Sequence, residues 1–81
     1  MLEELKNAKR VIGIKQVTKA VNNGLAGCVF LAADADDRVL KPLKTLCESK
    51  KVKVITGVTM TELGKACSIE VGAAAAAIIN K

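Results

Sequence analysis

Apolar and polar positions change their period several times along this chain, and each change predicts an element. Leu2, Leu5 and Ala8 recur at spacings of three among Glu3, Glu4, Lys6 and Lys9, predicting a short amphipathic helix over about residues 2–8. Arg10-Val11-Ile12-Gly13 reads as a short strand that ends in glycine. A helix is predicted next, over about residues 15–22. Ile14, Val17 and Val21 share one face of it, and Lys15, Thr18, Lys19 and Asn22 share a second. Asn22-Asn23-Gly24 stops this helix, because asparagine and glycine tolerate the left-handed conformation of a helix end. Cys28-Val29-Phe30-Leu31-Ala32-Ala33 is a continuous apolar run of strand length, suited to a central strand covered on both faces. Asp34-Ala35-Asp36-Asp37 reads as the turn after it.

Val39, Leu40, Leu43, Leu46 and Cys47 then return to helical spacing, but Pro42 falls among them. Proline costs about 3 kcal/mol inside a helix and is welcome at its first position. The predicted helix therefore runs over about residues 42–50, with residues 36–40 as a loop or single turn. Val52-Lys53-Val54-Ile55 is a third strand, and Gly57-Val58 a turn. Thr59-Met60-Thr61-Glu62 fits a capping box, with a short helix over about residues 60–66. Ser68-Ile69-Glu70-Val71-Gly72 is a loop carrying two apolar side chains.

Residues 73–77 are all alanine and lead into Ile78-Ile79. Propensity alone favours a helix here. The alternation of strands and helices from Arg10 onward, and the β-branched end of the run, favour a buried strand instead. Alanine would then make room for close helix packing on the sheet. The expected fold is α/β: a three-layer α/β/α sandwich with a four-stranded mixed sheet, in one domain spanning residues 1–81.

Composition narrows the function. An 81-residue chain supports one modest core. Its 51% hydrophobic and 26% charged content belongs to a folded domain. A net charge of +5 favours an anionic partner such as nucleic acid. One Phe and no Trp or Tyr argue against modules that stack single-stranded bases on aromatic platforms. The absence of histidine excludes histidine triads and His-ligated metals. Cys28, Cys47 and Cys67 are odd in number and widely spaced, so they read as free thiols in a reducing cytosol. The charged N-terminus is no signal peptide, and no apolar run approaches the roughly 20 residues of a membrane span. A cytoplasmic monomer without metal or cofactor is expected.

Three constellations carry candidate chemistry. In the first, Gly13 precedes Lys15, Gln16, Thr18 and Lys19 at a helix N-terminus. Cations there oppose the helix dipole, which a docking polyanion would explain. Glutamine can donate and accept at one base edge, and lysine donates to phosphate or to guanine O6 and N7. The plain alternative is a solvated helix face. In the second, Ile69 and Val71 either fold back as a satellite of the core or form a small apolar platform for an unpaired nucleotide. In the third, Asp34, Asp36 and Asp37 end a strand, where carboxylates can bind a metal or act in catalysis. No nucleophile, histidine or phosphate-binding glycine loop completes such a site, so turn and capping chemistry is expected.

The stretch Gly13-Ile14-Lys15-Gln16-Val17-Thr18-Lys19-Ala20-Val21 resembles the signature of the kink-turn-binding ribosomal protein family, the large-subunit proteins seven-Ae and thirty-e. So does Glu62-Leu63-Gly64-Lys65-Ala66-Cys67, followed by Ile69-Glu70-Val71-Gly72 and the alanine-rich end. The resemblance runs in order over nearly the whole chain and is nearest to the small bacterial members of YbxF type. It implies an α/β/α sandwich that binds kink-turns, RNA duplexes bent sharply at a three-nucleotide bulge beside tandem sheared G·A pairs. It also implies that the helix after the glycine enters the widened major groove at those pairs, and that the loop before the last strand covers the bulge. Gly13, Ile14, Lys15, Gln16 and Lys19 would then meet the G·A pairs and adjoining phosphates, and Ile69, Glu70 and Val71 would form the cover. Archaeal members usually carry Asn-Glu where this chain has Lys15-Gln16, which matches the bacterial type. Ile14 stands where threonine is common, and Asp37 where a proline often follows the Asp-x-Asp turn. The implied function is non-enzymatic binding of a structured RNA, such as a ribosomal RNA or riboswitch. The alternatives are a protein-interaction module on the same fold and, more remotely, a hydrolase using the aspartate turn.

Overall fold

A computed structural model of the chain describes residues 9–69 and 71–79. The helix expected over residues 2–8 lies outside them, and so does Glu70. The described elements are β1 (Arg10–Ile12), α1 (Ile14–Asn22), β2 (Ala26–Ala32), α2 (Asp37–Ser49), β3 (Lys53–Val58), α3 (Met60–Ala66) and β4 (Ala75–Ile79). The strands form one sheet in the order β1-β4-β2-β3. β4 runs antiparallel to both β1 and β2, while β2 and β3 are parallel, so the sheet is mixed as expected.

The alanine run is a strand, and an interior one. Ala77 pairs with Val11 on one side and Val29 on the other, and Ala76 pairs with Ile12 and Phe30. Alternation assigns its side chains to two cores. Ala75 and Ala77 pack with Val17 and Val21 of α1, Leu40, Leu43 and Cys47 of α2, and Val29 and Leu31 of β2. Ala76 packs on the other face with Phe30, Ala32, Leu63, Ala66 and Cys67. Helices on both faces make this the expected three-layer sandwich. Alanine's helix propensity advantage is at most about 0.7 kcal/mol per residue over ordinary residues. Two ladders of hydrogen bonds and complete burial outweigh it.

Two boundaries differ from those the sequence predicts. α2 begins at Asp37, so the proposed start at Pro42 is wrong and Pro42 lies inside the helix. The reason is a cap that the proline concealed. The Asp36 carboxylate accepts a hydrogen bond from the Arg38 N–H at 2.9 Å, and burial of Leu40 holds the first turn down. Pro42 is exposed, so its ring disturbs the solvent side only. β3 likewise runs through Gly57 and Val58, which are not a turn. Phe30 pairs with Ile55 and Ala32 with Val58, so three residues of β3 span two of β2. This bulge places Gly57 at φ +92°, where a side chain would be strained. It also delivers Val58 to the core. β4 starts at Ala75, two residues after the alanine run begins.

Pro42→Ala should stabilise the fold. Restoring a helical N–H and removing the ring clash recovers up to about 3 kcal/mol, and greater freedom of the unfolded chain takes back about 0.4–1. A net gain of about 1–2 kcal/mol is expected in urea denaturation.

Candidate nucleic-acid interface

α1 begins at a glycine because nothing else fits. Gly13 has φ +98° and ψ 153°, a region essentially confined to glycine, although a Cβ there would meet no neighbour. Its N–H donates to the Ala75 carbonyl at 2.9 Å, and its own carbonyl accepts the first helical bond, from Val17 N–H, at 2.9 Å. The N–H groups of Ile14, Lys15 and Gln16 therefore have no acceptor within the helix. Gly13 supplies no side-chain cap, and the first turn holds no acid. The result is an open, positive helix end beside the exposed Lys15 and Gln16.

The dipole argument separates the two lysines. The helix has nine residues, and Lys19 falls in its last turn. There a positive charge is favourable, so only Lys15 opposes the dipole. Lys15 and Gln16 also diverge. Ile14, Lys15, Thr18 and Asn22 line one depression along α1, while Val11, Gln16, Ala20 and Ile79 line an adjoining one. Lys19 and Asn23 border both and form the ridge between them.

The loop that precedes β4 arrives at the same end of the sheet. Gly13 is bonded to Ala75, and Ala32 N–H donates to the Ala74 carbonyl at 2.9 Å. The loop is held down on α3. Ile69 N–H donates to the Gly64 carbonyl at 3.0 Å, and Ala73 N–H to the Met60 carbonyl at 3.1 Å. A Cβ on Gly64 would strike the Val71 carbonyl oxygen, and one on Gly72 would lie 3.1 Å from Met60 Cβ. The two apolar loop residues then part company. Ile69 is half-buried against the core cluster around Phe30 and Leu63, whereas Val71 is 71% exposed. Glu70 between them lies outside the described residues.

Asp34 and Asp36 each accept an N–H at the start of a helix, and Asp37 is the first residue of α2. Asp34 Oδ1 accepts from Met60 N–H at 2.8 Å, at the start of α3. Asp36 caps α2 and pairs with the Arg38 guanidinium at 3.2 Å. That hydrogen bond to Arg38 holds its carboxyl below the usual carboxylate range. Among the described residues no cluster of three or more His, Cys, Asp or Glu could hold a metal. Cys47 and Cys67 are free thiols. Burial pushes the Cys47 and Cys67 thiols up, and at Cys67 it outweighs the opposing pull of the Arg10 charge. Arg10 also donates to the Cys67 carbonyl at 2.9 Å, at the negative end of α3.

Gly64 was legible as an oddity only, a glycine inside a helix of seven residues. Its reason, the approach of the loop backbone, is tertiary. No helix among the described residues is long and apolar enough to cross a membrane.

Known proteins resemble this chain in sequence and fold. The chain is 49% identical over 69 residues to the RNA-binding protein TTE2299 of Caldanaerobacter subterraneus subsp. tengcongensis, covering 85% of this chain and 84% of that one. It is 41% identical over 76 residues to the RNA-binding protein YbxF of Geobacillus stearothermophilus, covering 94% and 93%. Among solved structures, the 15.5kD RNA binding protein of Giardia lamblia superposes with a TM-score of 0.89 at 31% identity, over 99% of this chain and 71% of that one. A Bacillus halodurans protein of unknown function gives a TM-score of 0.86 at 28% identity, over 95% and 81%. The profile of one family spans residues 2–81, including both the glycine-led helix and the loop seated on α3, and the chain therefore belongs to the ribosomal protein L7Ae/L30e/S12e/Gadd45 family.

Proposed function

We propose that this chain binds structured RNA and recognises the kink-turn, stabilising its bent form. One observation carries the reading: the uncapped N-terminus of α1, with Lys15 and Gln16 exposed, lies at the same end of the sheet as the loop that presents Val71. Like its family, the chain is non-enzymatic. Its relatives named as RNA-binding proteins support the choice of partner. In this reading it acts as a single cytoplasmic copy on a ribosomal RNA or a riboswitch.

The mechanism follows from two simultaneous contacts. Sheared G·A pairs expose guanine edges and widen the groove enough for a helix end. Gln16 reads such an edge, and Lys15 and Lys19 bind edges or flanking phosphates. Val71, with Ile69 beneath it, covers the bulge. Both contacts are satisfied together only when the duplex is kinked, so the protein selects that form. Moving a population from 1:99 to 99:1 takes about 5.5 kcal/mol of differential affinity.

Dyes on the two duplex ends test this directly. In low salt without divalent ions, protein should draw the ends together. Replacing the G·A pairs with Watson–Crick pairs should abolish bending and leave weak, salt-sensitive binding; bending that survives the replacement would sink the reading. Log K should fall linearly with log salt, and Lys19→Ala should flatten that slope by about one unit. Gln16→Ala should lose roughly 1–3 kcal/mol on the kink-turn and little on a plain duplex. Val71→Asp should weaken RNA binding with stability changed by no more than about 0.5 kcal/mol, whereas Ile69→Asp should cost about 2 kcal/mol or more in thermal unfolding.

A further inference from the structure

The aspartate turn is the motif that the proposed RNA contacts leave unused. Asp34 follows β2, and its Oδ1 accepts the Met60 N–H at 2.8 Å. α3 does not need this bond for local capping. Thr59 Oγ1 already accepts from Glu62 N–H at 3.1 Å, and Glu62 Oε1 accepts from Thr59 N–H at 2.9 Å, a complete capping box. What the Asp34 bond adds is a tie between α3 and the end of β2. Met60 passes that tie onward. Its carbonyl accepts the Ala73 N–H at 3.1 Å, and its Cβ fills the space beside Gly72. One turn later Gly64 takes the Ile69 N–H at 3.0 Å and leaves room for the Val71 carbonyl. Val71 is thus pinned on both sides, at residue 69 by Gly64 and at residue 73 by Met60. Two residues further, Ala75 holds Gly13 at the start of α1.

We propose that Asp34 and Gly64 are positioning residues for the covering loop: acting through Met60 and the loop backbone, they set where Val71 stands relative to the first turn of α1. This rests on the reading of the loop as part of the RNA interface. Neither residue need touch RNA. The geometry of two simultaneous contacts on a bent duplex requires the loop and the helix end to hold a fixed separation, and a displaced loop forfeits one of them.

Charge makes the role of Asp34 testable by sign. A carboxylate at an RNA-facing end repels phosphate, so its removal should strengthen binding to any RNA if it is a bystander. Positioning requires the opposite for alanine, which loses the acceptor, and no loss for asparagine, which keeps an oxygen acceptor. Gly64→Ala tests the same seat without changing charge, and helix propensity alone would favour alanine there.

Affinities of the wild type, Asp34→Ala, Asp34→Asn and Gly64→Ala are measured on a kink-turn duplex and a plain duplex at one salt concentration. Amide hydrogen exchange at Ile69 and Ala73 is followed in the free proteins. Asp34→Ala and Gly64→Ala should each lose about tenfold on the kink-turn, the size of one lost cap interaction, and nothing on the plain duplex. Their Ala73 amides should exchange faster. Asp34→Asn should keep wild-type selectivity. Equal losses on both RNAs would indicate a smaller folded fraction and overturn the proposal. So would tighter binding of Asp34→Ala to both RNAs, or Ala73 exchange unchanged in both variants. Wild-type protein that binds the two RNAs equally overturns kink-turn recognition itself, and the exchange data then judge the seating of the loop separately.

Discussion

The pairing of β4 between β1 and β2 is the constraint on which the rest of the molecule depends. It is the last of the described strands, yet it occupies an interior place in the sheet. Its alanines keep both faces thin enough for α1 and α2 to settle on one side and α3 on the other. Larger side chains in this strand would push the helices outward and overpack both cores. The same pairing brings the segment before β4 to the segment after β1, through the bond from Gly13 N–H to the Ala75 carbonyl. Two stretches from opposite ends of the sequence thereby become one surface.

That surface combines a polar end left open with an apolar loop tied to α3 on both sides of Val71. A glycine at the N-cap forgoes roughly a few tenths of a kcal/mol relative to a capping side chain, and Lys15 adds an unfavourable charge near it. These are local deficits that a polyanion would reverse on binding. The loop has the opposite character. Its backbone is bonded to α3 at Gly64 and Met60, and Ile69 packs into the core, so Val71 is presented from a fixed base. Backbone ties of this kind reduce the conformational freedom that a segment loses on association.

The carboxylates show how one residue type can suggest catalysis and supply architecture. Asp34 and Asp36 stand at the strand end where an α/β fold often places its chemistry, yet each is engaged by the N–H of a following helix. Family membership agrees. The two aspartates fasten α2 and α3 to the end of β2, beneath the loop and the open helix end.

Much of this was legible in the residues themselves. The alternation of apolar runs and helical faces determined the α/β class, the glycine at 13 marked the strand-to-helix turn, and Thr59 with Glu62 marked the start of α3, because each signal is local and has one cheap structural answer. Where two local signals disagreed, tertiary structure decided. Pro42 argued for a late helix start, and burial of Leu40 with the Asp36 cap prevailed. Gly57 argued for a turn, and pairing with β2 made it a bulge. The loop offered two apolar residues of equal standing, and only packing against α3 made Ile69 part of the core and Val71 part of the surface. Lys15 and Gln16 stood side by side in the sequence, and helical rotation placed them on either side of Lys19. Sequence determines which local conformations are cheap. Which of them survive depends on long-range pairing and burial, whose energies over a strand or helix exceed the few tenths of a kcal/mol per residue that separate local preferences.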